Sequence, residues 1–351
     1  MRKALIAMSG GVDSSVAAFL MKEEGFHCSG ANMRLYDSDK CGSAKDREDA
    51  ASVCNRLGMD FTVFDFQQEF KECVIARFIQ CYESGITPNP CIDCNRHLKF
   101  SRFYDEAMKT GCDVVVTGHY VRAAYDKTRG RYVLRKAYDE TKDQSYVLYS
   151  LTQEQLAHVR FPLGEMSKAK AREIALANGF VNANKHDSQD ICFVPDKDYA
   201  AFIREQTQKD YAPGDFVDET GKVVGQHKGI IHYTIGQRKG LGVSADMPYY
   251  VAKIDVEKNQ VVLTKDNNKS SKSLLADNFN FIAVEDINEP VRIKAKIRYR
   301  AKEEWASAYR VDASTIRVDF DEPQRAITCG QAVVLYDNDV VVGGGTITAV
   351  L

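Results

Sequence analysis

Residues Lys3 to Met8 form a short apolar run that stops at Ser9-Gly10-Gly11, after which Val16, Ala17, Leu20 and Met21 recur at helical spacing. A strand, a tight loop and a helix in immediate succession commit the start of the chain to an α/β arrangement. The alternation continues with a strand near Cys28 to Met33, a helix over Asp46 to Leu57, a strand at Phe61 to Asp65 and a helix over Phe70 to Tyr82. That order predicts a parallel sheet covered on both faces. Asp113 to Thr117 (DVVVT) reads as a further buried strand ending in Gly118-His119-Tyr120, and a helical pattern runs from Lys168 to Asn178.

From about Tyr211 glycine-rich turns separate short β-branched runs, among them Tyr250 to Ile254, Gln260 to Leu263, Val291 to Tyr299 and Ala332 to Tyr336. A chain of 351 residues exceeds one ordinary core and fits two or three domains. The expected division is an α/β domain over 1–208, a small β-rich central domain over 209–273 and a C-terminal β-barrel over 274–351.

No run approaches the roughly 18 apolar residues of a membrane span, and the apolar stretch in MRKALIAMSGG is short for a secretory signal. A cytoplasmic protein without a membrane partner is expected. Ten cysteines in such a chain are then thiols and not a disulfide framework. Three lie in polar or proline-flanked segments where a thiolate or a metal is at home: Cys91, Cys94 and Cys192. A net charge of −2 argues against a surface that is basic throughout, but leaves room for a local basic stripe.

Ser9-Gly10-Gly11-Val12-Asp13-Ser14-Ser15 occupies the strand-to-helix junction, where free amides and the helix dipole favour an anion. The glycines admit phosphate oxygens to the backbone, the serines add hydroxyls, and Asp13 is a candidate Mg²⁺ ligand. No Lys follows the glycines, so this is not the GxxxxGK[ST] loop. The string resembles the PP-loop of ATP pyrophosphatases, which implies ATP cleavage between the α and β phosphates and an adenylated substrate.

Cys91 and Cys94 sit in Thr87-Pro88-Asn89-Pro90-Cys91-Ile92-Asp93-Cys94-Asn95, a proline-stiffened loop ahead of the helical segment with Lys99 and Phe100. Cys192 sits in Lys185-His186-Asp187-Ser188-Gln189-Asp190-Ile191-Cys192-Phe193-Val194-Pro195, where Lys185 and His186 are expected to lower its pKa. Residues Val291 to Arg300 alternate, placing Arg292, Lys294, Lys296, Arg298 and Arg300 on one strand face and Val291, Ile293, Ala295, Ile297 and Tyr299 on the other. Cations so crowded suit a polyanion, and RNA backbone is the expected partner. Arg238 and Lys239 in Gly236-Gln237-Arg238-Lys239-Gly240-Leu241-Gly242 add phosphate contacts, and His119 ends a parallel strand where α/β ligands bind.

Taken with Thr117-Gly118-His119-Tyr120 and Lys142-Asp143-Gln144-Ser145-Tyr146, these motifs resemble, in order and over nearly the whole chain, the bacterial tRNA-specific 2-thiouridylase family. The resemblance implies ATP-dependent adenylation of the C2 carbonyl oxygen of a wobble uridine in a tRNA of the Glu, Gln or Lys type, and then sulfur transfer. It implies ATP contacts from Met8, Ser9, Gly10, Gly11, Asp13, Ser14, Ser15, Met33, Gly118 and His119. It implies tRNA contacts from Lys142, Gln144, Arg238, Lys239, Lys294, Lys296, Arg298, Tyr299 and Arg300. Cys192 would carry a persulfide delivered by a sulfur-relay protein or cysteine desulfurase, and Cys94 would release the sulfur. Many members have Asp where this chain has Cys91, which opens the acid-base role. Alternatively Cys91, Cys94 and Cys192 would bind an iron-sulfur cluster with one open iron. Two further readings compete: a synthetase that adenylates a small molecule, needing neither the cysteines nor the basic strand, and a non-catalytic RNA-binding protein with a relic nucleotide loop.

Overall fold

The computed structural model describes residues 1–36, 43–185, 191–244, 246–266 and 270–351. Among these residues the strands form three sheets. The first carries Lys3–Ala7 (β1), His27–Arg34 (β2), Phe61–Asp65 (β3), Val114–Val116 (β4) and, beyond the hairpin Arg122–Asp126 (β5) and Arg131–Arg135 (β6), Val159–Arg160 (β7). Its order is β3-β2-β1-β4-β7 and every pairing is parallel.

Side chains alternate across a strand, so β1 divides between two cores. Leu5 and Ala7 join one apolar cluster and Ala4 and Ile6 the other, with Val115 and Val114 following suit from β4. The helix Val12–Glu23 (α1) covers the second face through Val16, Ala17 and Met21, and Ala44–Arg56 (α2) joins it through Ala50, Val53 and Cys54. A reciprocal Ser43–Asp46 capping box starts α2. The opposite face is covered by a long segment from Gln67 to Glu83 and by the helical stretch that starts at Pro90.

The second sheet has Gly214–Val217 (β8), Val223–His227 (β9), Tyr250–Asp255 (β10) and Gln260–Thr264 (β11) in the order β10-β11-β8-β9. The third has Ser270–Phe281 (β12), Val291–Lys296 (β13), Glu304–Arg310 (β14), Ile316–Arg325 (β15), Ala332–Asp337 (β16) and Val340–Val350 (β17). Their order, β12-β15-β14-β13-β16-β17, closes on itself because β12 also pairs with β17. The result is a barrel, cored by Leu274, Ile293, Ala295, Ala306, Val318 and Leu335. The β5–β6 hairpin does not join the first sheet: β6 adds to β17, with Leu134 opposite Val341, and Val133 enters the barrel core.

The predicted α/β start and the β-rich remainder are what the chain forms. One element is corrected. β13 ends at Lys296, because β14 pairs with it no further than Ala295–Glu304 and β16 no further than Lys296–Val334. Arg298, Tyr299 and Arg300 therefore lie in the connection after the strand and not on its face.

Candidate active site

The loop between β1 and α1 is held by residues far along the chain. Gly10 has φ +76, and a Cβ there would lie 2.3 Å from the Asp46 carbonyl oxygen, so no side chain fits. Asn182 donates to the Gly10 carbonyl at 3.0 Å and to Ser15 Oγ at 2.9 Å, and Lys185 Nζ donates to the same carbonyl at 3.1 Å. Ser14 and Ser15 are buried and both donate to the Gly11 carbonyl, at 3.0 and 3.1 Å, while Ser9 is exposed and shares a 3.2 Å contact with Ser14 Oγ. Asp13 accepts from the buried ammonium of Lys168 at 2.8 Å through each oxygen and from the Tyr120 hydroxyl at 2.8 Å. Those contacts fix the loop at the start of α1, a position where free amides and the helix dipole favour an anion.

Lys185 is bound from several sides. Its ammonium bonds Asp46 at 2.6 Å and Asp49 at 2.8 Å besides Gly10, and although burial opposes the charge, those carboxylates raise its pKa. It ties the Gly10 carbonyl to the carboxylates of α2. His186 and the Asp187 to Asp190 segment lie outside the described residues.

Gly118 packs against the backbone of Asp13 and Ser14. His119 is buried, its Nδ1 lies 2.7 Å from Thr117 Oγ1, and its ring contacts Phe100 and Phe161. Burial and then Lys99 hold its pKa well below the usual range, so it is neutral. Met33 is half-buried at the carboxyl end of β2, next to Asn32, whose amide donates to the Met8 carbonyl at 2.7 Å.

Cys91 and Cys94 fall on a short helix, Pro90–Cys94, with proline in its first turn, and the stretch Asn95–Arg102 continues it with π-helical bonding. Cys91 is exposed by surface area, yet the mass around its sulfur pushes the thiol pKa up, chiefly by desolvation. Cys94 is buried, and desolvation pushes it up to about 12. Cys192 acts electrostatically on both, so the two cysteine segments, remote in sequence, meet in space. Lys99 opposes the upward shift at both thiols. Because it also acts on His119, this one cation joins the cysteines to the wall of the phosphate loop. Asp93 is buried, which raises its pKa, and it sits 3.4 Å from Arg77 Nε, which opposes that shift. Among the described residues no group of three or more His, Cys, Asp and Glu side chains is arranged to hold a metal ion.

Three family models match the chain: "tRNA methyl transferase HUP domain" on 2–196, "tRNA methyl transferase PRC-barrel domain" on 200–265 and "Aminomethyltransferase beta-barrel domain" on 271–347. It is 48% identical over 353 residues to the tRNA-specific 2-thiouridylase MnmA of Clostridioides difficile (strain 630), covering 99% of this chain and 98% of that protein. It is likewise 48% identical over 355 residues to the enzyme of the same name from Acetivibrio thermocellus, covering 99% of both. The chain belongs to the tRNA-specific 2-thiouridylase family. Among solved structures, the U34-tRNA thiolase NcsA from Methanococcus maripaludis, with its 4Fe-4S cluster, aligns at a TM-score of 0.36 and 15% identity over 59% of this chain and 64% of that one, too slight a likeness to carry an argument.

The barrel rests on the cysteine loop. Gln331 Nε2 donates to the Thr87 and Pro88 carbonyls at 2.9 and 3.1 Å, and Thr87 N–H donates to the Cys329 carbonyl at 3.2 Å. The expected five-cation strand face is corrected. Arg292 is ion-paired with Asp321, and Lys294 lies 5.4 Å from the Trp305 ring. Lys296 is half-buried between Tyr146 and Tyr299, and burial lowers its pKa. Arg298 donates to the Arg325 carbonyl at 2.6 Å, and Arg300 is exposed. Arg238 and Lys239 are exposed on the glycine loop, whose Gly236 lies against Ala326. Lys142 ends a short helical turn, and Gln144 accepts from Tyr120 N–H at 2.9 Å, beside the phosphate loop.

Sequence reasoning missed Lys99 as a link and Asn182 altogether, and named Tyr120 and Lys168 only as parts of a motif and a helix, without a role at the loop. Polar side chains inside apolar stretches, such as Lys168 before AKAREIALA, were the available signal.

No described helix is long and apolar enough to cross a membrane.

Proposed function

We propose that this chain is a tRNA-uridine 2-sulfurtransferase that uses ATP to convert a wobble uridine into 2-thiouridine. The observation that carries the reading is Lys99, which stands within electrostatic reach of Cys91, Cys94 and His119 and so makes one site of the sulfur cysteines and the phosphate loop. Neither a small-molecule synthetase nor a relic loop needs that conjunction.

In the proposed reaction the uridine O2 attacks the α-phosphorus of ATP, the α–β bridge breaks and pyrophosphate leaves. The first-turn amides of α1, with Ser9 and Gly10, cradle the phosphates. Met33 and His119 flank the nucleotide; neutral His119 adds no positive charge. Cys192, loaded as a persulfide by a donor protein, attacks C2 with its terminal sulfur, and AMP departs with the former O2. Cys94 then attacks the Cys192 sulfur, leaving the transferred sulfur on the base and a Cys94–Cys192 disulfide that a thiol reductant reopens.

Cys94 is protonated at rest, so its attack waits on losing that proton, and Lys99 favours the thiolate. Cys91 replaces the family's usual Asp with a thiol that is also protonated and cannot serve as a carboxylate base. The three sulfurs supply the donor atoms of an iron-sulfur cluster, but as they stand they form no metal-holding set, and no step is routed through one. Mg²⁺ at Asp13 likewise meets a carboxylate already committed to Lys168 and Tyr120.

The test is reconstitution with ATP, an unmodified tRNA bearing a wobble uridine, and a persulfide donor, with 2-thiouridine measured in digested tRNA. Formation of 2-thiouridine that depends on ATP and on Cys192 supports the reading. Pyrophosphate release that needs a small acid or amine and ignores tRNA overturns it in favour of a synthetase.

A further inference from the structure

Two carbonyl groups of the phosphate loop are each met by two fixed donors. The Gly11 carbonyl accepts from Ser14 Oγ at 3.0 Å and from Ser15 Oγ at 3.1 Å. The Gly10 carbonyl accepts from Asn182 Nδ2 at 3.0 Å and from Lys185 Nζ at 3.1 Å. Asn182 is 2% exposed, and its amide also donates to Ser15 Oγ at 2.9 Å, which joins the two sets of contacts.

Lys185 is not placed as a cation for phosphate. An ammonium has three hydrogens, and here they go to Asp46 at 2.6 Å, to Asp49 at 2.8 Å and to the Gly10 carbonyl. One positive charge against two carboxylates leaves this corner net negative, which does not attract an anion. What Lys185 and Asn182 do control is the direction of one peptide group. In a trans peptide the C=O and the N–H point opposite ways. With the Gly10 carbonyl drawn toward Asn182 and Lys185, the Gly11 N–H turns to the other side, where its contact with the exposed Ser9 Oγ is a long 3.4 Å. Gly10 has φ +76, and neither glycine carries a Cβ to bias the plane between them, so the direction has to be enforced from outside. A flip of that peptide would replace a donor facing the phosphates by a carbonyl oxygen.

We propose that Lys185 and Asn182 are positioning residues that lock the Gly10–Gly11 peptide, carbonyl inward and N–H toward the phosphates of ATP. The inference rests on the adenylation step of the thiolase reading and adds how the loop is kept ready for its anion. Neither side chain touches the nucleotide. An unlocked peptide divides its time between two orientations, and ATP then binds only the competent fraction, so apparent affinity falls while the bound complex still reacts.

The experiment uses the full chain grown on glycine labelled with carbon-13 and nitrogen-15. Only Gly11, Gly344 and Gly345 follow another glycine, so a carbonyl-filtered amide spectrum isolates them. Inorganic pyrophosphate should move the Gly11 amide of the wild type and leave Gly344 and Gly345, which lie in β17, in place. Lys185→Met combined with Asp49→Asn removes the donor yet keeps the local charge. In this double variant the KM for ATP in tRNA-dependent pyrophosphate release should rise about 10–100-fold, the ordinary value of a hydrogen bond from a charged group, with kcat within about 3-fold. Its Gly11 amide should respond only at correspondingly higher pyrophosphate. Should the pair fail to fold, Asn182→Ala removes the other donor and should raise KM, not lower kcat. A KM left at the wild-type value, a kcat that falls in its place, or a wild-type Gly11 amide that pyrophosphate does not move overturns the inference, while tRNA-dependent pyrophosphate release by the wild type keeps the underlying reading. Wild-type protein that binds neither ATP nor pyrophosphate defeats both.

Discussion

Lys168 and Lys185 lie far beyond the phosphate loop in sequence, yet each bonds directly to it. Their placement predicts different losses. Asp13→Ala or Ser14→Ala removes a group of the loop itself and should cut tRNA-dependent pyrophosphate release by about 10²–10³-fold. Lys168→Met leaves Asp13 with Tyr120 alone, so ATP affinity should weaken while tRNA affinity persists, as equilibrium binding of each ligand would show. Buried thiols give a pH prediction. Burial pushes Cys28 up to about 11 and Cys54 up to about 12, whereas an unfolded thiol titrates near 9. Above pH 9 the unfolded chain therefore releases protons that the native chain keeps. Stability should be intact below pH 9 and fall between 9 and 12, with Cys54→Val showing a shallower fall in urea midpoints. The loop itself was legible because its chemistry is contiguous. The pairing of Lys185 with Asp46 and Asp49 was not legible, because those carboxylates lie far back in the sequence and only the fold brings them to its ammonium.

At the scale of elements, strand periodicity revealed burial but not the ladder's end. The alternation from Val291 to Arg300 continues past Lys296, yet β14 and β16 offer no further partner there, so Arg298 to Arg300 turn away. Helical periodicity likewise conceals the π-bonded stretch Asn95–Arg102. At 3.6 residues per turn Lys99 would sit far around the helix from Cys94. At the wider π turn a residue five positions on returns closer to the same face, which brings Lys99 toward Cys94. Lys99→Met should slow iodoacetamide labelling of Cys94 at a given pH and shift its rate profile to higher pH, while circular dichroism stays unchanged. Equal labelling profiles would remove Lys99 from the sulfur chemistry.

Over the whole molecule, the barrel reaches the chemistry through Gln331 on the cysteine loop. Gly330 has φ +88, and a Cβ there would lie 2.3 Å from Ile86 Cγ2. Gly330→Val should push the loop aside and lower thiolation by about 10²-fold, the cost of a displacement near 1 Å, with ATP binding retained. Replacing Arg238, Lys239 and Arg300 together by Ala should reduce the salt dependence of tRNA affinity, each lost phosphate contact lowering the slope by about 0.7–0.9. An unchanged slope would move the RNA surface elsewhere. The hairpin β5–β6 ties these parts together in time as well as in space. Its partner β17 meets β6 at Val340 and Val341, far later in the chain, so the hairpin stays unpaired along that edge until those residues have been made. Until then the nascent α/β unit carries an open strand edge. A fragment stopped at residue 208 should consequently aggregate through that edge, as light scattering of the fragment beside the full chain would show.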